Sequence, residues 1–375
     1  MIGASQGARP DAARRGGVVV AGGGTGGHLY PGLALADALA DQGFDVTFVG
    51  TPSGIEARAV PAAGYPLRLL PARQLRGGGA GRAVAGLAAV ARGAMRGRGL
   101  LAELRPCLVV GVGGYASVAV VIAARLAHLP IVLLEQNVVP GAANRLLGRL
   151  AARVCVGFAE STHFFPPGRA VHTGNPVRRQ IVRGAARTSH ARPGLLVFGG
   201  SAGAHRLNVA TIDALRTLGP AARALDVTHQ TGAADVDEVR AAYAALGLPA
   251  RVEPFITDMA GAYATADVVI SRAGAMSCAE VTAVGLPAIL VPYPHAADDH
   301  QRRNAEVLVE AGAAEMILDR DCEGPRLAAA IRKLMEDPLR RAAMATRARA
   351  FGRPDAAERV AAECVGLIGA GGGAA

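Results

Sequence analysis

Apolar runs of strand length alternate along this chain with longer segments in which apolar positions recur every three or four residues. The strand-like runs of the first half lie at 17–21, 45–50, 67–70, 107–112, 131–135 and 153–157; those of the second lie at 194–199, 226–230, 251–255, 267–271, 287–291 and 314–318. Runs that are apolar throughout mark strands buried on both faces, and the amphipathic segments between them supply the cover. The pattern therefore predicts an α/β architecture of parallel sheets with helices on both faces. One stretch imitates a membrane span, because Cys107 to Ala124 carries no charge over 18 residues. Gly111, Gly113 and Gly114 interrupt it, and it reads as a buried strand, a glycine loop and a helix, since open backbone in lipid leaves polar groups unsatisfied.

The periodicity fails in the Arg-, Gly- and Pro-rich segment from Arg183 to Pro193 and then restarts. "LLVFGGSAGAHRLN" from Leu195 repeats the order of "VVVAGGGTGGHLYP" from Val18: strand, glycine turn, Ser or Thr, then His, at an offset of about 176 residues. Two doubly wound units in tandem are expected, at 17–182 and 183–353. A disordered arm at 1–16 precedes them, and at 354–375 a helix packing back on the first unit ends in a flexible tail. The strand carboxyl ends of two such sheets face each other across a cleft, where ligands of this architecture bind.

Composition narrows the function classes. A chain of 375 residues with 51% hydrophobic content fills two or three domain cores. Forty basic against 30 acidic residues give +10 and a pI near 10.1, which suits an anionic partner. Lys333 is the only lysine, so part of that excess reflects compositional bias. No nucleic-acid module is recognisable and aromatics make up only 4%, leaving little to stack on bases, so nucleic acid is not an expected partner. The five cysteines lack CxxC spacing, which indicates neither a zinc site nor a disulfide framework and fits a reducing cytoplasm. Residues 1–16 have no apolar segment and are not a signal peptide.

The glycine loops carry the candidate chemistry. Glycine permits positive φ and close approach of a ligand to the backbone, and the following helix directs free amides and its positive end at the same spot. Both loops are thus candidate anion cradles. Gly22-x-Gly24-x-x-Gly27 satisfies the dinucleotide pattern, but Val49 and Gly50 stand where a ribose-binding acid belongs, which counts against a nicotinamide cofactor. His28, at the start of the first helix, is placed as a base for a sugar hydroxyl. From Arg73, "RQLRGGGAGRAVAGLAAVARGAMRGRGLL" sets Arg73, Arg76, Arg82, Arg92, Arg96 and Arg98 beside Leu75, Val84, Leu87, Ala91 and Met95. That spacing fits an interfacial helix on anionic lipid, and equally a solvated helix with its apolar side in the core.

"GGTGGH" at 23–28, "GVGGY" at 111–115, "EQN" at 135–137, "TGNPVR" at 173–178, "GGSAGA" at 199–204, "RAGAMSCAE" at 272–280 and "DDHQRRNA" at 298–305 together resemble the MurG family of peptidoglycan N-acetylglucosaminyltransferases. The resemblance implies a GT-B fold with two Rossmann-like domains, the first for a lipid-linked acceptor and membrane association, the second for UDP-GlcNAc. It implies inverting transfer to the 4-hydroxyl of N-acetylmuramic acid on an undecaprenyl pyrophosphoryl pentapeptide, without metal or other cofactor, at the cytoplasmic face of the plasma membrane. Cell wall, cell shape and cell division roles follow from that product. His28 and Glu135 are the implied catalytic residues. Thr25, Gly26, Gly27, Asn137, Arg178, Ser201, Ile256, Ala275, Met276, Ser277, Cys278, Ala279, Glu280 and Gln301 are the implied UDP-GlcNAc contacts.

The residue chemistry leaves choices open within that set. Without a cation, a departing diphosphate needs amides and arginine, which Ser201 with Gly200 and Gly203, Ala275 to Ser277, and the planar fork of Arg178 can supply. Asp235 and Asp237 read as helix-opening acids and not as a metal motif. Glu280 fits the ribose or a capping box with Ser277. Met276 fits the site or the core. Glu135 and Asn137 fit acceptor contacts or loop bonding at a strand end. The chain departs from the family at Leu134, where a histidine is common, which puts more weight on His28, and at His300, where some members have glutamine.

Overall fold

The computed structural model describes residues 15–70, 80–184 and 192–371. Most of the expected arm, the segment holding Arg73, Leu75 and Arg76, most of the inter-domain junction and the last four residues lie outside the described residues, as do the side chains of Arg82, Val84 and Leu87.

The first unit runs β1 (Gly17–Gly22), α1 (Gly26–Asp41), β2 (Asp45–Gly50), α2 (Glu56–Ala62), β3 (Leu67–Leu69), α3 (Ala80–Leu104), β4 (Leu108–Gly113) and α4 (Tyr115–Leu126). It continues through β5 (Ile131–Glu135), α5 (Ala142–Leu147), β6 (Arg153–Val156), β7 (Ala170–His172) and α6 (Arg179–Arg183). Its seven strands form one parallel sheet in the order β3-β2-β1-β4-β5-β6-β7. The second unit runs β8 (Gly194–Phe198), α7 (His205–Leu218), β9 (Asp226–Gln230), α8 (Val236–Ala245), β10 (Ala250–Glu253), α9 (Met259–Ala264), β11 (Val268–Ser271) and α10 (Ala275–Val284). It ends with β12 (Ala288–Leu290), α11 (His300–Glu310), β13 (Ala314–Met316), α12 (Gly324–Met335), α13 (Pro338–Phe351) and α14 (Ala356–Gly371). Its sheet, also parallel, has the order β10-β9-β8-β11-β12-β13.

All twelve strand-like runs lie on strands. The thirteenth strand, β7, was not expected: Ala170–His172 is three half-buried residues long, too short for a periodic signal, and takes its place at the sheet edge by pairing with β6. The stretch from Cys107 to Ala124 is β4, a glycine turn and most of α4. Each sheet is packed on both faces, with Val18, Val20 and Leu35 on one side of the first and Val19, Val120 and Leu133 on the other. The second is covered in the same way around Leu195, Val197 and Ile270 on one face and Leu196, Phe198 and Val269 on the other. The last helix, α14, lies against α1, where Ala357, Val360, Ala361 and Cys364 join the first core, and Arg153 binds Glu363 at 2.9 Å.

Candidate active site

Three helix starts converge on the carboxyl ends of the two sheets. After β1 the chain turns through Gly22, Gly23 and Gly24, all at positive φ, and α1 opens at Gly26 behind Thr25. The turn is held from beneath by Glu56, a buried residue at the start of α2. Its Oε2 accepts from the Gly24 N–H at 2.7 Å, and its Oε1 accepts from the Thr51 N–H and hydroxyl, both at 2.8 Å. Burial pushes the Glu56 carboxyl up, but these donors outweigh it and hold the group below the ordinary carboxylate range. The Gly24 amide is therefore taken by the protein itself. The amides at the start of α1, from Gly26 and Gly27, have no carbonyl a turn earlier to bind.

His28 sits half-buried one residue further on, its Nδ1 3.2 Å from the Thr25 hydroxyl. The ring packs against the end of β4: a Cβ on Gly113 would stand 2.5 Å from it, so only glycine fits there. Burial lowers its pKa, a hydrogen bond with the Gly23 backbone opposes that, and the charge of His300 lowers it further. The net result is an imidazole that stays neutral near pH 7.

Arg178 joins the two domains. Its guanidinium lies 4.4 Å over the ring of Tyr30 on α1 and donates to Glu280 Oε1 on α10 at 3.2 Å. The other oxygen of Glu280 accepts from the buried Tyr263 hydroxyl at 3.0 Å. Burial raises the Glu280 pKa against the pull of Arg178 and Tyr263. The capping-box alternative is corrected by this pairing: the α10 N-cap is Gly274, and the Glu280 carboxylate goes to Arg178 and Tyr263. The first helical bond of α10 is Cys278 N–H to Gly274 at 3.0 Å, which leaves the amides of Ala275, Met276 and Ser277 without a carbonyl a turn earlier to bind. The side chains of Met276, Cys278 and Ile256 are buried in the second core, and Ala279 packs against it. Ser201 is exposed on the turn before α7, where the Gly203 N–H donates to Gly200 at 2.9 Å. Gln301 accepts from the Tyr293 N–H at 3.0 Å at the start of α11.

Of the two readings of Glu135, acceptor contact and loop bonding at a strand end, the bonds present are those of the loop. Glu135 is 2% exposed; Oε1 accepts from the Asn137 N–H at 2.9 Å and Oε2 from Asn144 at 2.9 Å and the Gly141 N–H at 3.3 Å. Burial pushes its pKa up against four opposing hydrogen bonds from the turn after β5. Asn137 reaches across the domains instead. Asn304, fully buried on α11, donates to Asn137 Oδ1 at 3.1 Å and to the Ala273 carbonyl, and accepts from the Val138 N–H at 3.0 Å.

Glu56, Tyr263 and Asn304 were not singled out from sequence. Val49 and Gly50 end β2 without an acid, and Glu56, six residues past the strand, bonds the glycine turn and Thr51. Asn304 stands inside the motif "DDHQRRNA", which was the available signal.

Two nucleotide-type parallel sheets, with a neutral imidazole and an arginine from the first unit and helix-start amides from the second, give the arrangement of a GT-B glycosyltransferase. The family models agree: the glycosyltransferase family 28 N-terminal domain matches residues 18–156 and its C-terminal domain residues 194–360. A curated UDP-N-acetylglucosamine–N-acetylmuramyl-(pentapeptide) pyrophosphoryl-undecaprenol N-acetylglucosamine transferase of Geobacter sulfurreducens is 46% identical over 355 residues, 93% of this chain and 98% of the relative. Its counterpart in Anaeromyxobacter sp. (strain Fw109-5) is 46% identical over 94% of this chain and 93% of its own. The crystal structure of Acinetobacter baumannii MurG superposes with a TM-score of 0.76 at 33% identity, covering 93% of this chain and 99% of that one. The glycotransferase of kitacinnamycin, at 19% identity and a TM-score of 0.67, shares the fold. The chain belongs to the MurG family.

Proposed function

We propose that this protein transfers GlcNAc from UDP-GlcNAc to the 4-hydroxyl of MurNAc in undecaprenyl-pyrophosphoryl-MurNAc-pentapeptide, converting lipid I to lipid II in peptidoglycan synthesis. Near full-length identity to curated transferases carries this reading. The site chemistry agrees with it. The acceptor oxygen attacks C1 of GlcNAc, His28 takes its proton, and the C1–O bond to the diphosphate breaks with its electron pair going to UDP. Inversion follows because nucleophile and leaving group occupy opposite faces. The amides of Ala275 to Ser277, the turn at Ser201 and the charge of Arg178 receive the negative charge that develops on the diphosphate. Thr25, Gly26 and Gly27 face the reacting sugars from the α1 start. Glu280, released from Arg178 as the phosphates bind, takes the ribose hydroxyls, and the loop of Ile256 takes the uracil. Asn137 and Gln301 complete the sugar contacts. Glu135 acts by shaping the turn that carries Asn137.

No helix among the described residues is long and apolar enough to cross a membrane. The acceptor is lipid-borne, and the surface supports peripheral attachment to an anionic, cytoplasm-facing leaflet. On α3, Gly93 and Gly97 bed against Ala119 and Ala123 of α4, so Arg92, Met95 and Arg96 point outward, with Met95 68% exposed. Leu126, Leu146 and Leu150 are also exposed, each next in sequence to an exposed arginine, Arg125, Arg145 and Arg149. Release of UDP from UDP-GlcNAc, measured with and without the undecaprenyl-linked acceptor, tests the whole reading. Acceptor-dependent release is expected, and acceptor-independent or absent release overturns it.

A further inference from the structure

The strand end His229-Gln230-Thr231-Gly232 lies behind the two loops that face the donor, and its side chains make no use of the cleft. Gln230 is 4% exposed. Its side-chain amide donates to the Gly200 carbonyl at 3.0 Å and to the Pro254 carbonyl at 3.1 Å. An amide NH2 has two protons, and both are used. The two acceptors belong to different loops: Gly200 to the turn before α7 that holds Ser201, Pro254 to the loop after β10 that holds Ile256.

The rest of the strand end braces the same two loops. A Cβ on Gly203 would stand 2.1 Å from the Thr231 carbonyl, and one on Gly232 would stand 2.6 Å from the Ala202 carbonyl, so the backbones touch. Thr231 and Gly232 N–H groups donate to Glu253 and Pro254 at 3.0 and 3.1 Å. Behind them, Asn208 donates to the Thr231 carbonyl at 2.9 Å and to Asp235 at 2.7 Å. Its oxygen is thereby left to accept from His229 Nε2, 3.1 Å away, and His229 Nδ1 accepts from the Tyr243 hydroxyl at 3.1 Å. Burial drives the His229 pKa down to about 3, which keeps the ring in the neutral form this chain of bonds needs.

We propose that Gln230 is a positioning residue that sets the span between the diphosphate turn and the uracil loop, acting through the Gly200 and Pro254 carbonyls without touching the nucleotide. The inference rests on the donor-site reading given above. Its consequence is specific: a ligand that engages both loops at once feels the span, and one that engages a single loop does not.

Calorimetry with UDP and with uridine on the full chain tests it, using Gln230→Ala and Gln230→Met, the second of which keeps the volume and removes the amide with both of its donated bonds. Wild type is expected to bind UDP more tightly than uridine. In both variants the UDP-to-uridine ratio of affinities should fall about tenfold, with uridine affinity changed less than about threefold. An unchanged ratio in a variant with a normal melting curve overturns the proposal. So does a parallel loss of both ligands, the mark of general loosening. If wild type itself binds UDP no better than uridine, the donor-site reading has failed, and the role of Gln230 with it.

Discussion

Replacing Glu56 with glutamine isolates the contribution of one charge-assisted hydrogen bond to the first glycine turn. In wild type the carboxylate accepts three bonds, from Gly24 and twice from Thr51. An amide keeps an acceptor for Thr51 but turns an NH2 toward the Gly24 N–H, donor against donor. Hydrogen bonds to charged groups contribute about 1.5–3 kcal/mol, and the weakened Thr51 pair adds to the loss, so about 3 kcal/mol is expected. For a domain of this size that corresponds to about 6–12 °C in melting temperature. The pH dependence has a definite sign. The folded pKa of Glu56 is lowered, so its stabilisation is fully present above the unfolded carboxylate value and is lost as pH falls through the folded one. The gap between wild type and Glu56→Gln should therefore be full at pH 7 and close as pH drops below the ordinary carboxylate range. Thermal melts of both proteins from pH 7 to pH 3.5 read this directly. A variant that melts within about 1 °C of wild type at pH 7 would refute the bonding argument.

His28→Ala should lower turnover at least about a hundredfold, the usual yield of a positioned base, while UDP-GlcNAc affinity measured by calorimetry stays within about twofold. Because the His28 pKa is lowered from 6.5, wild-type turnover should hold steady as pH falls from 7 to 6.5 and decline only below that; half-loss at 6.5 would contradict the shift. Arg178→Lys removes the planar fork and the stacking on Tyr30, and the KM for UDP-GlcNAc should rise about tenfold in steady-state assays. The double variant Arg92→Glu with Arg96→Glu removes about 1 kcal/mol of attraction per arginine, so sedimentation with phosphatidylglycerol vesicles should weaken about thirtyfold or more. Phosphatidylcholine vesicles serve as the control, and equal binding to both by wild type would remove the electrostatic account of attachment.

The parallel sheets were legible because the central strands, among them β1, β4 and β8, are apolar throughout, a local signal that needs no partner. β7 was not, since its three residues earn their place through pairing with β6 alone. Glycine turns were legible for the same local reason, and so was the helix start at His28. What escaped were side chains whose partners lie far along the chain. Glu56 meets Gly24 across 32 residues, and Asn304 meets Asn137 across 167. Gln230, a polar residue at the end of β9, gives no sign of which carbonyls it binds. Glu135 shows the converse: a carboxylate at a strand end near the cleft looks available until the donors of its own turn are counted.

The return of α14 onto α1 bears on how the chain is made. Ala357, Val360 and Cys364 complete the core that α1 builds on one flank of the first sheet, so that core stays incomplete while the whole second half is being synthesised. The earlier half therefore gains its last core contacts only once the end of the chain has been made.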